Sequence, residues 1–111
     1  VGNDSFYFRY TDSGATPNWT INTRGGGATT TQTSNLAVDT NWHRFRIEVN
    51  AAGTSIGFYI DDVELNVSPL TTNLPTSNTA PNVGILKSAG TTARTFNVDF
   101  YSFYMKLAAT R

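Results

Sequence analysis

Short runs in which apolar and polar side chains alternate recur along this chain, and a period of two residues predicts β-strands. The clearest run covers residues 42–50, where one face is apolar apart from a histidine and the other face is charged. These faces are His43, Phe45, Ile47 and Val49, and Arg44, Arg46 and Glu48. A second run, residues 55–61, alternates in the same way. Its inward side chains are Ile56, Phe58 and Ile60.

The two runs predict an antiparallel hairpin in a single register, in which the numbers of paired residues add to 105. The pairs are Val49–Ile56, Ile47–Phe58 and Phe45–Ile60 inside, and Glu48–Gly57, Arg46–Tyr59 and Arg44–Asp61 outside. A slip of one residue would turn the apolar side chains to the charged face, so the alternation fixes the register. Asp61 and Asp62 are expected to form the next turn, because Asp tolerates positive φ. Val63 and Leu65 should then return inward.

The remaining strand signals are spread along the chain. Alternating stretches at residues 5–10 and 18–23 precede a polar edge strand at residues 29–33, and Val83 and Ile85 begin a later one. The last run, residues 94–107, changes phase near Phe100 and Tyr101, which indicates a β-bulge or a bend. Seven or eight short strands without a helical period predict an all-β fold, an antiparallel β-sandwich, with residues 1–111 in a single domain.

Composition and charge exclude several classes of protein. Eight basic and eight acidic side chains give a net charge of zero, which argues against a nucleic-acid binder or a polybasic membrane binder. No apolar run approaches the length of a membrane span, and the absence of cysteine excludes disulfides and thiolate metal sites. Thr, Ser and Asn make up a third of the chain, while lysine and glutamate are scarce. This composition favours a virion or extracellular location.

The hairpin sequence carries a resemblance to a known family. Residues 41–50, with Gly53 and then residues 57–62, resemble the W-H-x-[LF]-x-I-E … G … V-x-F-Y-I-D-G hairpin of concanavalin A-like lectin/glucanase jelly rolls. The nearest resemblance is to the laminin-G-like modules of phage tail fibres and other virion proteins, over roughly residues 40–105. Asp62 stands where that pattern has Gly, and 111 residues are few for such a fold. The resemblance implies a complete or partial jelly roll, and we expect the C-terminal portion of a larger protein.

One set of outward residues is the candidate ligand-binding surface. It consists of Tyr7, Arg9, Arg44, Arg46, Tyr59 and Asp61. Tyrosine and arginine beside a carboxylate can stack on a sugar ring and bind its hydroxyls, which would make the surface a glycan site. The same residue types are enriched in subunit contacts, and they also occur on ordinary solvated sheet faces. All three interpretations remain open at this point.

The sequence offers little support for catalysis or for a cofactor. Glycan-cleaving enzymes of the resembled fold carry E-x-D-x-E on one strand, and no segment here matches it. His43 is the only histidine, so we interpret it as a hydrogen-bonded structural residue on the core face. We therefore expect no enzyme activity and no cofactor. A Ca²⁺ site remains an alternative. Its ligands would be the loop carboxylates of Asp12, Asp39, Asp61 and Asp99.

The function predicted from these features is that of a non-catalytic jelly-roll module in a virion or extracellular structural protein. Such a module would mediate self-assembly and bind cell-surface glycans. The alternatives are a capsid-decorating or fibre-forming subunit without a ligand and, less favoured, a fragment of a glycan-cleaving enzyme. The phase change in the last strand leaves Tyr101, Phe103 and Met105 on a second apolar face. We expect these three side chains to contact another subunit, in a homo-oligomer, or the rest of the parent chain.

Overall fold

The strands that the structure describes lie in the first seventy-nine residues of the chain. The computed structural model describes residues 2–11, 17–80, 84–85, 91, 93 and 95–104. The chain divides into two units, residues 1–79 and residues 80–111. Within the described residues, every strand belongs to the first unit, and none of those residues lies in a helix. None of them therefore belongs to a helix long and apolar enough to cross a membrane.

The first sheet has three antiparallel strands in the order β1-β2-β3. They are β1 (Ser5–Arg9), β2 (Asn18–Gly25) and β3 (Ala28–Ala37). Gly26 and Gly27 connect β2 to β3 with φ angles of 57° and 88°, a left-handed conformation that favours glycine. The predicted polar strand at residues 29–33 is confirmed as part of β3, and it lies at an edge of this sheet.

The second sheet contains the predicted hairpin. Its strands are β4 (Phe45–Val49), β5 (Ile56–Ile60) and β6 (Val63–Glu64), in the order β4-β5-β6. All five β4–β5 pairs follow the predicted register, with Ile47 opposite Phe58, although β4 begins at Phe45 and not at residue 42. The turn at Asp61 and Asp62 is also confirmed, with φ angles of 52° and 67°.

The return strand after this turn follows the prediction only in part. Leu65 is buried, and its N–H donates to the carbonyl of Phe58. Val63 lies opposite Ile60 as expected, but its side chain is 68% exposed and not buried. β6 is an edge strand, and no further strand of the described residues covers Val63.

The two sheets share one hydrophobic core. Its buried side chains are Ile21, Ile56, Phe58, Ile60, Leu65 and Leu70. The aromatic contacts across the core join β1 to the hairpin: the Phe8 ring lies 5.3 Å from Phe58 and 5.0 Å from Phe45, both edge to face. Trp19 of β2 contacts Phe45 in the same manner, at 4.8 Å. Such edge-to-face pairs add to the stabilisation gained from apolar burial.

A loop after β6 ties the sheets together. Leu70 pairs with Ile56 through two backbone hydrogen bonds, so the loop continues the second sheet beside β5. Two residues later, the carbonyl of Thr72 accepts the hydroxyl hydrogen of the buried Thr23 on β2. Gly25 permits the close approach of this loop, since a Cβ there would lie 2.1 Å from the carbonyl oxygen of Leu74.

The described residues of the second unit have no regular secondary structure. The strands expected at Val83–Ile85 and at residues 94–107 are therefore absent from residues 84–85 and 95–104, while the rest of both stretches lies outside the described residues. The prediction of an all-β protein is confirmed for the described residues, as two small antiparallel sheets. That residues 1–111 form a single domain stays a prediction.

Phe58 should be the most sensitive position in the core. Replacing Phe58, which is fully buried, with Ala removes its contacts with Phe8 and leaves a cavity, so the free energy of unfolding should fall by about 3–5 kcal/mol. Val63→Ala is the matched control on the same sheet, and its exposed position should keep the change within about 0.5 kcal/mol. Urea melts followed by tryptophan fluorescence measure both. Equal losses in the two variants would contradict the assignment of the core.

Candidate functional site

The structure divides the six predicted ligand-binding residues between the two sheets. Tyr7 and Arg9 lie on β1, where the alternate residues Phe6 and Phe8 pack against the core. Because side chains alternate along a strand, Tyr7 and Arg9 point away from the core on the first sheet. The other four residues lie on or beside the β4–β5 hairpin. They are Arg44, Arg46, Tyr59 and Asp61. The predicted set is thus a cluster of four residues and a separate pair.

The contact between Arg46 and Tyr59 is the centre of the cluster. The two residues are cross-strand neighbours, and the guanidinium carbon lies 3.9 Å from the centroid of the ring. Arg46 Nη1 donates to Oε1 of Glu48, and Arg46 Nε lies 3.9 Å from Oδ1 of Asp62. Stacking and two carboxylates together restrict the position of the guanidinium. This cation therefore covers one face of Tyr59.

A shallow groove lies beside this contact on the same outer face of the second sheet. Gly57 lines this groove and permits the close approach of the Tyr59 ring, since a Cβ at this position would lie 3.0 Å from Cε2 of Tyr59. The groove has a volume of about 210 Å³. Its polar lining consists of Glu48, Asn50, Ser55, Tyr59 and Glu64. Oxygen acceptors beside an aromatic ring are the groups that bind the hydroxyls and the apolar face of a sugar.

The position of Glu64 in this groove is fixed by a hydrogen bond. The hydroxyl of Ser68 donates to Oε1 of Glu64 at 2.9 Å, and the same hydroxyl oxygen accepts the N–H of Phe58 at 2.9 Å. The carboxylate is thereby connected to the backbone of the central strand β5. The sequence did not predict Glu64 as a site residue.

A second polar cluster joins the loop before β4 to the turn after β5. His43 Nδ1 lies 2.6 Å from Oδ2 of Asp61, and His43 Nε2 lies 2.8 Å from Oδ1 of Asp39. Ionised carboxylates only accept hydrogen bonds, so two such partners require a hydrogen on each ring nitrogen. The geometry therefore favours the imidazolium form, in which the positive charge lies between two negative charges.

The pKa values of the three groups follow from these contacts. The hydrogen bond with Asp61, and then that with Asp39, raises the pKa of His43 above 6.5, against an opposing effect of burial. The pKa of Asp61 is lowered first by the N–H of Arg44 and then by His43. The pKa of Asp39 is lowered first by the N–H of Asn41 and then by His43. Each charged form is thus favoured by the folded state.

The charged pairs on the outer face of the hairpin differ from those predicted. The backbones of Arg44 and Asp61 pair as expected, with the Asp61 N–H donating to the Arg44 carbonyl. The guanidinium of Arg44 contacts Asp62 instead, because the Asp61 side chain is turned toward His43. His43 is a hydrogen-bonded structural residue as interpreted, yet its partners are carboxylates at the edge of the hairpin and not core groups. Asp39 was missed as its partner, and its only sequence signal is a spacing of four residues.

The predicted subunit-contact residues lie in the second unit. Tyr101 and Phe103 are each more than half exposed. Met105 lies outside the described residues, so its predicted role is not addressed. The neighbouring exposed side chains on the same segment include Phe96, Val98, Phe100 and Tyr104.

Of the four carboxylates considered for Ca²⁺, only Asp39 and Asp61 are described within the first unit. Asp39 and Asp61 lie at opposite nitrogens of the His43 ring, which separates them. Asp12 lies outside the described residues, and Asp99 belongs to the second unit. Among the described residues, no group of three or more potential ligands is placed to hold a metal ion.

Residues 2–99 match the model of the family described as "SO2946-like, C-terminal domain". No curated protein matches the chain. No solved structure matches it either.

The carboxylate–histidine cluster should make stability depend on pH. The pKa of His43 is raised on folding. The contribution of His43 to the free energy of unfolding is therefore fully present below pH 6.5, and it is lost as the pH rises through the raised pKa. The contributions of Asp39 and Asp61 are lost in the opposite direction, as the pH falls below 3.8 through their lowered pKa values. Urea melts between pH 5 and 9 should therefore show decreasing stability for the parent chain.

His43→Gln is the control for this prediction, since its amide does not titrate in that range. The decrease above pH 6.5 should be absent from this variant, because His43 is the chain's only histidine. A ¹⁵N NMR titration of the ring would report the pKa directly. A ring pKa below 6.5 would contradict the paired imidazolium.

Proposed function

The chain belongs to the SO2946-like, C-terminal domain family, and we propose that it is a non-catalytic assembly module of a virion or extracellular structural protein. We further propose a β-sandwich of the concanavalin A-like jelly-roll type, complete or partial. The two three-stranded antiparallel sheets with one core between them support this fold. The hairpin that resembles those jelly rolls also has the register that its sequence predicted.

The observation that carries the assembly role is the exposure of one apolar segment. In residues 95–104, the side chains of three Phe, two Tyr and one Val are each more than half exposed. Isolated exposed apolar residues are ordinary, but six within ten residues favour an interaction surface. Aromatic residues are also enriched in the cores of protein interfaces. This segment supports a homo-oligomer or contact with the rest of a parent chain.

Glycan binding is a second candidate function, supported by the groove beside Tyr59. At about 210 Å³ the groove is smaller than typical small-molecule pockets of about 300–1,000 Å³, so it would hold at most one sugar unit. The lining includes two carboxylates, Glu48 and Glu64, with Tyr59 between them. The module would bind a sugar here without cleaving it. The alternative is a structural subunit without a ligand. Such a subunit would associate in light scattering but give no signal on a glycan array.

Self-association should be measurable in solution. Light scattering at micromolar concentration should give a multiple of 12.1 kDa, because association covers the apolar segment. Phe103→Ser should weaken association by about 2 kcal/mol, roughly 30-fold in Kd, if this ring is buried in the contact. Val63→Ser is the matched control, since Val63 is equally exposed but lies in the first unit. A 12.1 kDa monomer at these concentrations would overturn the homo-oligomer and leave contact with the rest of a parent chain as the assembly role.

Sugar binding should depend on the outer face of the second sheet and not on that of the first sheet. On a glycan array, Tyr59→Ala and Glu64→Gln should each reduce the signal at least tenfold, because they remove the ring and one acceptor of the groove. Tyr7→Ala is the matched control, as Tyr7 lies on the first sheet. The same glycans should release no reducing sugar on incubation. Equal losses from Tyr7→Ala and Tyr59→Ala would contradict the groove as the site.

A further inference from the structure

The charges that line the groove beside Tyr59 are all of one sign. Its carboxylates are Glu48 and Glu64, and the described residues contribute no lysine, arginine or histidine to the lining. Glu48 lies opposite Gly57 and Glu64 lies opposite Tyr59, on the two sides of β5. Because neighbouring strands are about 4.8 Å apart, the two acidic residues are about 10 Å apart across the sheet. The glycine and the ring lie between them.

The two carboxylates differ in how their negative charge is balanced. Oε1 of Glu48 accepts a hydrogen bond from the guanidinium of Arg46, which balances the charge of Glu48. Oε1 of Glu64 accepts the hydroxyl of Ser68 at 2.9 Å, and a hydroxyl is a neutral donor. No cation in the described part of the chain forms a salt bridge with Glu64. The groove therefore holds one carboxylate that is fixed in position and not balanced by these residues.

The amide of Asn50 is occupied by the turn between β4 and β5. Its Oδ1 accepts the N–H groups of Thr54 and Ser55 at 2.8 Å and 3.1 Å, and its Nδ2 donates to the hydroxyl of Thr54. Asn50 thus shapes the wall of the groove, and the carboxylates are the acceptors that a ligand meets. A primary ammonium group matches such a lining, since it has one positive charge and three N–H donors.

The lining also indicates which ammonium compound fits. Quaternary ammonium groups are bound in cages of aromatic rings, whereas the described residues contribute only the ring of Tyr59, one face of which is covered by Arg46. The rest of the lining is mainly polar, with hydroxyl, amide and carboxylate groups that suit the hydroxyls of a sugar. The volume of about 210 Å³ limits the ligand to one such unit.

We propose that the groove is specific for a protonated amino sugar, whose ammonium group binds Oε2 of Glu64. The inference rests on the glycan-binding function proposed above and names its ligand class. An N-acetylated sugar has a neutral amide in place of the charged nitrogen, so it binds less tightly. The carboxylate of an acidic sugar is repelled by Glu64, because like charges brought together oppose binding.

Two sugars that differ at a single nitrogen test the proposal. D-glucosamine and N-acetyl-D-glucosamine are titrated separately into the ¹⁵N-labelled chain near pH 6 and at low salt, and the amide shifts of the groove residues give each Kd. Glucosamine should bind at least tenfold more tightly, because a charge-assisted hydrogen bond replaces a neutral one. Salt at about 1 M should reduce the difference, since it screens exposed charges.

Glu64→Gln is the critical variant, since it keeps the size of the side chain and removes its charge. This variant should bind the two sugars with affinities within about twofold of each other. Asp39→Asn is the matched control, because it also removes one negative charge from the first unit but does not line the groove. Its tenfold preference for glucosamine should persist. Amide spectra that match the parent away from the substituted residue show that each variant folds.

The outcomes separate this inference from the proposed glycan site. Equal affinities of the parent chain for the two sugars, or tighter binding of the acetylated one, would overturn the ammonium specificity and leave the glycan site. An unchanged preference in Glu64→Gln would overturn Glu64 as the partner of the ammonium group.

A third probe, Nα-acetyl-lysine methylamide, presents an ammonium group without a sugar ring. Weaker binding of this probe than of glucosamine would support the amino sugar. Binding as tight as that of glucosamine would overturn the sugar in favour of a protein lysine. The absence of shifts with both sugars would overturn the inference and the glycan site together.

Discussion

The burial of the inner face of β5 is the constraint on which the rest of the first unit depends. Ile56, Phe58 and Ile60 are almost fully buried, and their strand is hydrogen-bonded to β4 and β6. Because the side-chain period of a strand is two, this burial forces Gly57 and Tyr59 to the outer face. Every feature of that face follows from it. Arg46 can stack on Tyr59 at this outer face because the alternate residues Ile56, Phe58 and Ile60 face inward.

The hairpin could be predicted from the sequence because its information is local. Two alternating runs separated by a short turn allow only one register in which apolar residues meet apolar residues, and the structure has that register. The sheet to which a distant strand belongs has no such local signal. Tyr7 and Arg9 were therefore grouped with the hairpin residues by type alone, whereas β1 places them on a different sheet. Alternation predicts which side of a strand a residue occupies, but not which sheet.

The partners of the acidic turn residues could not be predicted for a different reason. Asp61 and Asp62 are adjacent, and both have positive φ, so their carboxylates leave the turn in different directions. Asp61 accepts hydrogen bonds from His43 and from the N–H of Arg44, while Asp62 contacts the guanidinium of Arg44. A cross-strand pairing rule identifies the facing backbone residue only. The choice between two carboxylates is made by turn geometry, and by the loop that brings Asp39 to the other side of the histidine ring.

The second unit shows what strand patterning requires beyond alternation. Residues 96–100 alternate as clearly as residues 45–49, yet only the latter form a strand in the described structure. The difference is a hydrogen-bonding partner, since the backbone groups of an extended segment need a neighbouring strand or water. No strand pairs with residues 95–104 among the described residues, so alternation alone is not sufficient to predict that a strand forms.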